Sequence, residues 1–340
     1  MKLSNRPIGE KFKSLIIAQI GINHQGSVKL AKKLIDKAKT AGCECVKFQS
    51  HNVKDEMIKT SVKPGNSNRT IWNIVKDASL SFDDEIKLKN YTEKKGMIYL
   101  STPFSREAAN RLNDMDVCGF KIGSGECNNY PLIEHISRMG KPIILSTGMN
   151  NIKTIKPAVK IMRDNKVKFA LLQCTSMYPT PFDKVNINGM FELKKNFNNC
   201  PVGLSDHTLG MDAMYLAISL GATIVEKHFT IDRRLEGPDM NVSMNPKELE
   251  EIIKYSSNVK DMMIGQKKMI LPEEKPTIRF AYASVVSIKN IEKNEKFSLE
   301  NIWLKRPGIG DFFAKDFKSL IGKKSKRKIL KNSFISKKDF

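Results

Sequence analysis

Leu15-Ile16-Ile17-Ala18-Gln19-Ile20-Gly21, then a 28–41 stretch with apolar residues at spacings of three and four, then Cys45-Val46-Lys47-Phe48-Gln49: this passage reads as strand, helix, strand. A run of apolar and β-branched residues with no polar alternation fits a strand buried on both faces, as in a parallel sheet. Working outward, short apolar runs recur at 97–101, 119–123, 142–146, 169–174, 202–205 and 223–228. Amphipathic stretches such as 83–95, 152–163 and 211–220 lie between them. Strand-then-helix order predicts parallel strands, and eight such units predict α/β architecture closed into a (β/α)8 TIM barrel. A miscounted strand would leave an open doubly wound sheet instead.

Beyond the repeat, residues 51–80 are too long for an ordinary βα loop and carry Pro64-Gly65 and Ile71-Trp72, which predicts a flap over the active end of the barrel. After a helical stretch near 249–263, the polar 265–268 and the Pro-bearing 271–276 punctuate the chain. The expected division is a barrel over 1–270, a linker over 271–280 and a small β-rich module over 281–340.

The chain has 340 residues, 40% hydrophobic and 28% charged, enough to bury a substantial core. This excludes a disordered chain, a collagen or a disulfide-stapled mini-protein. Its formal charge of +22 comes from 58 Lys plus Arg against 36 Asp plus Glu, so the surface attracts anions. The excess is spread along the chain and is not gathered on one recognition element, which argues against a dedicated nucleic-acid protein. Six cysteines without a C-x-x-C pair read as reduced thiols. The apolar run at 15–22 is far short of a membrane span, and the expected location is cytoplasmic, with no membrane partner.

In a barrel of this type the chemistry sits where the strands end at their C-terminal side. Those ends are polar here: Gln19 and Asn23-His24; Lys47 and Gln49; Ser101-Thr102; Lys121, Ser124 and Glu126; Ser146; Ser176 and Tyr178; Ser205-Asp206-His207; Glu226-Lys227-His228. Strand side chains alternate, so Ser205 and His207 share one face and Glu226 and His228 share another. If both faces point inward, His207 and His228 form a site for one divalent metal with open positions; otherwise each imidazole is a hydrogen-bonded rim residue. Lys47, Lys121, Ser124, Ser146 and Ser205 suit a phosphate ligand, the alternative being interior ion pairs of the lysines with Glu126 and Glu226. Glu126, flanked by glycine, is the acid/base candidate, or else a capping residue.

The quoted motifs, together with Ile20-Gly21-Ile22-Asn23-His24, Lys121-Ile122-Gly123-Ser124-Gly125-Glu126, Tyr178-Pro179-Thr180-Pro181 and Glu226-Lys227-His228-Phe229-Thr230, span nearly the whole chain. In them the chain resembles the sialic acid synthase (N-acetylneuraminate synthase) family. The C-terminal part, from Phe280-Ala281-Tyr282-Ala283-Ser284 through Lys305-Arg306-Pro307-Gly308, resembles that family's antifreeze-like (SAF) domain. The resemblance implies a carbon–carbon-forming transferase that condenses phosphoenolpyruvate with N-acetylmannosamine and releases phosphate. It implies catalytic roles for Glu126, His207, His228 and Lys47. Phosphoenolpyruvate would be bound by Lys47, Thr102, Lys121, Ser124, Ser146, Ser176 and Ser205. The sugar would be met by Gln19, Gln49, Tyr178, Asp239, Phe280 and Arg306, the last supplied across a domain-swapped homodimer. The implied cofactor is a divalent ion on His207 and His228, manganese first, with magnesium or cobalt as substitutes.

Two positions depart from the family pattern: Gln19 stands where relatives usually have Glu, and Gln173 where they often have His. A neutral amide donates as well as accepts and takes up no proton at pH 7, so altered sugar recognition or turnover is expected. The rival enzyme reading is a legionaminate or pseudaminate synthase using a diacetamido-trideoxy sugar and the same chemistry. A rival of another class is a basic nucleic-acid-binding protein gripping through Lys323-Lys324-Ser325-Lys326-Arg327-Lys328.

Overall fold

The computed structural model describes residues 1–265 and 267–340, so Gln266 of the polar 265–268 stretch lies outside it. The chain forms two compact units, Met1–Ile264 and Gly265–Phe340. In the first, eight parallel strands close in chain order into a barrel. They are β1 (Leu15–Gly21), β2 (Cys45–Ser50), β3 (Ile98–Pro103) and β4 (Phe120–Ile122), then β5 (Ile143–Ser146), β6 (Phe169–Cys174), β7 (Val202–Asp206) and β8 (Ile224–His228). Closure is made by β8 pairing with β1, with His228 opposite Gln19. The eight-strand barrel expected from the repeat is the fold observed, as is the small C-terminal unit with antiparallel strands.

Two-residue alternation sorts each strand. Ile16, Ala18, Val46, Phe48, Tyr99, Phe120, Leu145, Leu171, Leu204 and Val225 belong to the large core shared with the surrounding helices. Leu15, Ile17, Cys45, Leu100, Ile144, Ala170, Leu172 and Ile224, one step away on their strands, form a second core inside the barrel. Continuing each inner row toward the C-terminal end replaces apolar residues by Gln19, Lys47, Thr102, Ser146, Glu226 and His228, all buried. The interior is therefore oily at one end and polar at the other.

The oily end is plugged by a feature the sequence pattern did not reveal. Lys2–Leu3 and Arg6–Pro7 form a short antiparallel hairpin, and Leu3 and Ile8 complete the inner core. Strands of two residues are too short to carry a period. Gly119 leaves room for the plug, since a Cβ there would lie 2.6 Å from Leu3 Cδ1. The 51–80 stretch expected as a flap contains more order than a loop: helices at Val53–Glu56 and Ile71–Ala78, the second capped by Thr70 accepting from Asn73 N–H.

In the second unit Ser284–Ser287 pairs with Ile302–Lys305, over a core of Val285, Ile291, Phe297, Ile302, Leu320, Ile329 and Ile335. The 271–280 stretch expected as a linker carries a 3₁₀ turn, Pro272–Glu274, and the helix Lys275–Ala281. Prolines in the first turns of both favour helical entry there. Within the basic run, Arg327 pairs with Asp339 at 2.6 Å and Lys328 with Glu292 at 2.7 Å, and Lys323 lies over the Phe340 ring. All six cysteines are free thiols, and among the described residues no helix is long and apolar enough to cross a membrane.

Leu3→Ala should remove the tip of the plug and leave a cavity, costing about 3 kcal/mol. The check is the urea midpoint, expected to fall with an unchanged m-value; an unaltered midpoint would mean the hairpin does not stabilise the barrel.

Candidate active site

The polar end of the barrel is organised around one carboxylate. Glu226 Oε1 lies 3.1 Å from Lys47 Nζ and 3.7 Å from Lys121 Nζ, and it accepts a hydrogen bond from Ser205 Oγ at 3.2 Å. Lys121 also donates to Ser146 Oγ at 2.7 Å, and Lys47 to Thr102 Oγ1 at 3.4 Å. Both lysines and Glu226 are at most 4% exposed. Of the two ion-pair partners considered from sequence, Glu226 is the one that engages the lysines. One carboxylate serves two ammonium groups, so the cluster keeps a net positive charge that suits an anion.

Glu226 was legible as an inward strand-end residue, but its joint grip on two lysines was not. Burial pushes its carboxyl up, while Lys121 and Lys47 outweigh that and hold it below its usual value. Burial pulls Lys47 down, Glu226 pulls it back and Lys121 repels it, leaving its pKa at about 8.

A second group of hydroxyls meets at Gly148. Its backbone N–H donates to Ser124 Oγ at 3.0 Å, and a Cβ on Gly148 would approach Ser124 Oγ to 2.8 Å and Cys174 Sγ to 3.1 Å. Ser176 Oγ shares this space, 3.8 Å from Cys174 Sγ. The structure thus gathers Lys47, Thr102, Lys121, Ser146 and Ser205 in one cluster and Ser124 and Ser176 in another. Glu126 ends the 3₁₀ turn Ser124–Glu126, and Asn129 Nδ2 donates to its Oε2 at 2.7 Å. Among the described residues it makes no ion pair with the two lysines.

The two imidazoles do converge. The rings of His207 and His228 are 5.6 Å apart between centroids, and Tyr178 packs on His207 at 4.1 Å. His207 Nδ1 lies 3.2 Å from the Thr175 carbonyl oxygen, a contact that orients the ring and leaves Nε2 available. His228 is buried with Nδ1 unpartnered, 3.6 Å from Asp239 Oδ2. Burial, then His207 and Lys47, hold His228 well below the usual imidazole value, so it is a neutral ring with one nitrogen lone pair to offer. Burial raises Asp239 to about 6. Among the described residues no group of three or more His, Cys, Asp and Glu forms a metal cage. Burial pulls His207 down, but Cys174 and the Thr175 carbonyl outweigh it and hold it above its usual value. Two imidazoles beside the half-buried Asp239 carboxylate still fit a divalent ion that takes its remaining ligands from water and substrate.

Gln19 is 3% exposed and its Oε1 has no partner, while Gln49 is half-buried on the neighbouring strand. Phe280, on the helix Lys275–Ala281, and Arg306, just after Ile302–Lys305, are both exposed and belong to the second unit. Sequence reading also named Asp206 and Lys227 at strand ends without separating their roles. They face outward, 2.5 Å apart, with Lys227 also donating to Thr208 O, and so join β7 to β8 behind the site.

Two buried lysines sharing one carboxylate beside a histidine pair, at the C-terminal mouth of a (β/α)8 barrel, form a site of the kind barrel enzymes place there. Residues 34–268 match the NeuB family and residues 282–340 the SAF domain. The chain is 37% identical to the N,N'-diacetyllegionaminic acid synthase of Campylobacter jejuni, covering 92% of this chain and 95% of that one. It is 30% identical to the human N-acetylneuraminate-9-phosphate synthase, covering 94% and 90%. A solved structure of N-acetylneuraminic acid synthetase from Leptospira borgpetersenii superposes with a TM-score of 0.75 at 32% identity, covering 82% of this chain and 94% of that one. The chain belongs to the NeuB family, among sialic, legionaminic and pseudaminic acid synthases.

Glu226→Gln should leave two buried cations without their counter-charge and destabilise the protein by about 3 kcal/mol at pH 7. The folded-state carboxyl lies below its ordinary 4.5, so its contribution is complete above that pH and is lost as pH falls. Urea titrations of the two proteins should therefore converge below about pH 4.5, and a gap unchanged down to pH 3 would contradict the assignment.

Proposed function

We propose that the chain condenses phosphoenolpyruvate with the open-chain aldehyde of N-acetylmannosamine and water, giving N-acetylneuraminate and phosphate. The observation that carries this reading is the pair of buried lysines sharing one carboxylate beside the histidine pair. Lys47 and Lys121, with Thr102, Ser146 and Ser205, take the phosphate and carboxylate of phosphoenolpyruvate; Ser124 and Ser176 add donors from the Gly148 side. A divalent ion on His207 and His228, manganese by family resemblance, supplies a Lewis acid for the aldehyde when bound.

In the reaction, C3 of phosphoenolpyruvate forms the new bond to the aldehyde carbon, the C=O π bond breaks and leaves an alkoxide, and C2 becomes cationic. Water adds at C2 and gives up one proton to Glu126, which returns it to the alkoxide. The tetrahedral adduct breaks its C2–O bond to phosphorus-bound oxygen, the C2 hydroxyl becomes the ketone, and its proton leaves with the phosphate. Gln19, Gln49, Tyr178 and Asp239 meet the sugar, and Phe280 and Arg306 reach it from the partner of a domain-swapped homodimer in the cytoplasm.

A second reading, a diacetamido-trideoxy sugar as acceptor, is favoured by two observations. Gln19 offers an amide Oε1 without a partner where the family pattern implies a carboxylate, and a legionaminic acid synthase stands at 37% identity against 30% for the human enzyme.

Phosphate release should be measured with manganese and each sugar in parallel, products being identified by mass. N-acetylmannosamine is expected to give product that is lost on chelation and recovered with manganese. Product from the diacetamido sugar alone would move the assignment, and Gln19→Glu should then shift the preference. Lys47 carries its charge below about pH 8 in the free protein and loses it above, so kcat/KM for phosphoenolpyruvate should fall above that pH. Lys47→Arg should abolish that limb, and a limb that persists would assign it elsewhere. Mixing Arg306→Ala with His228→Ala protein should restore partial activity if Arg306 acts in trans; none after confirmed subunit exchange would exclude the swap.

A further inference from the structure

The first turn of the flap carries a buried pair that the chemistry above does not use. His51 follows β2 and is 6% exposed. Its Nδ1 lies 3.0 Å from each oxygen of Glu56, whose side chain is 3% exposed and sits on the helix Val53–Glu56. The ring stacks on Phe104 at 4.5 Å with 12° between planes, which fixes its orientation. Its other nitrogen, Nε2, lies 3.5 Å from Gln49 Oε1.

Gln49 in turn faces Gln19 across Gly21. A Cβ on Gly21 would lie 2.9 Å from Gln19 Nε2 and 3.6 Å from Gln49 Oε1, so the missing side chain is what admits both amides. The other titratable group close by is His24. It is fully buried, its Nδ1 accepts from Gly26 N–H, its Nε2 has no partner, and burial followed by repulsion from His51 brings its pKa to about 4.

We propose that His51, held by Glu56, is the positioning residue for Gln49 and thereby sets which end of that amide the sugar meets. Nδ1 faces the Glu56 carboxylate and Nε2 faces the Oε1 end of Gln49, so the ring, fixed by Phe104, holds that end of the amide on its own side. Gln49 then has its carbonyl occupied and turns its NH2 toward the cavity, where it donates to a sugar oxygen. Beside it, Gln19 Oε1 and His24 Nε2 remain an unpaired acceptor and donor. Glu56 lies on the flap, so the same pair ties the flap's first turn to the polarity of the sugar site. This inference rests on the synthase reading above.

The test is steady-state kinetics on His51→Phe, which keeps the stack on Phe104 and removes both nitrogens, and on Glu56→Gln, a milder change in case the first does not fold. Each should raise the sugar KM about tenfold, with kcat and the KM for phosphoenolpyruvate within about twofold of wild type. Gln49→Ala should add much less in the His51→Phe background than alone, because both act through one amide. His51→Asn, which returns a donor, should recover part of the loss. Equal rises in both KM values, independent effects of His51 and Gln49, or an unchanged sugar KM in folded variants would each overturn the proposal. Wild-type protein that turns over no sugar would instead sink the synthase reading, and this one with it.

Discussion

Closing eight parallel strands into a barrel forces half of every strand's side chains into one narrow interior, and the rest of this protein follows from how that interior is filled. Leu15, Ile17, Leu100, Ile144, Leu172 and Ile224 occupy its N-terminal half, sealed by Leu3 and Ile8. The C-terminal half is left to Gln19, Lys47, Thr102, Lys121, Ser146, Ser205, Glu226 and His228. Charged groups are tolerated there only because Glu226 is shared between Lys47 and Lys121. The same balance leaves one positive charge over, which is what an anionic substrate needs.

Stability and function therefore meet in a single row of residues. Glu226 offsets the desolvation of the lysines, hydroxyls from β3 and β5 accept from them, and the β7 hydroxyl of Ser205 donates to Glu226 itself. On the proposed function, phosphate would meet donors already in place, which is electrostatic preorganisation. The histidine pair is oriented from behind in a similar way, His207 by the Thr175 carbonyl and His228 by packing beside Asp239.

Much of this was legible before any coordinates. Strands buried on both faces leave apolar runs that stand out between amphipathic helices, and the strand-end residues could be enumerated by alternation. The N-terminal plug was not legible, because two-residue strands have no period. The helical turn at Pro272–Glu274 and the helix Lys275–Ala281 were hidden by Pro and polar composition that also suits a linker. His51 and Glu56 were passed over since a flap sequence does not reveal which of its residues fold back into the barrel mouth.

What the sequence determined by itself is local: where strands and helices run, which residues share a face, and which strand ends carry charge, hydroxyl or imidazole. These depend on periodicities of two and 3.6 and on the chemistry of single side chains. Only the tertiary structure decided the partnerships: Glu226 with both lysines, His207 with His228, and Gln49 between Gln19 and His51. Such contacts join segments far apart in the chain, and they exist only once closure of β8 on β1 fixes the register of every strand.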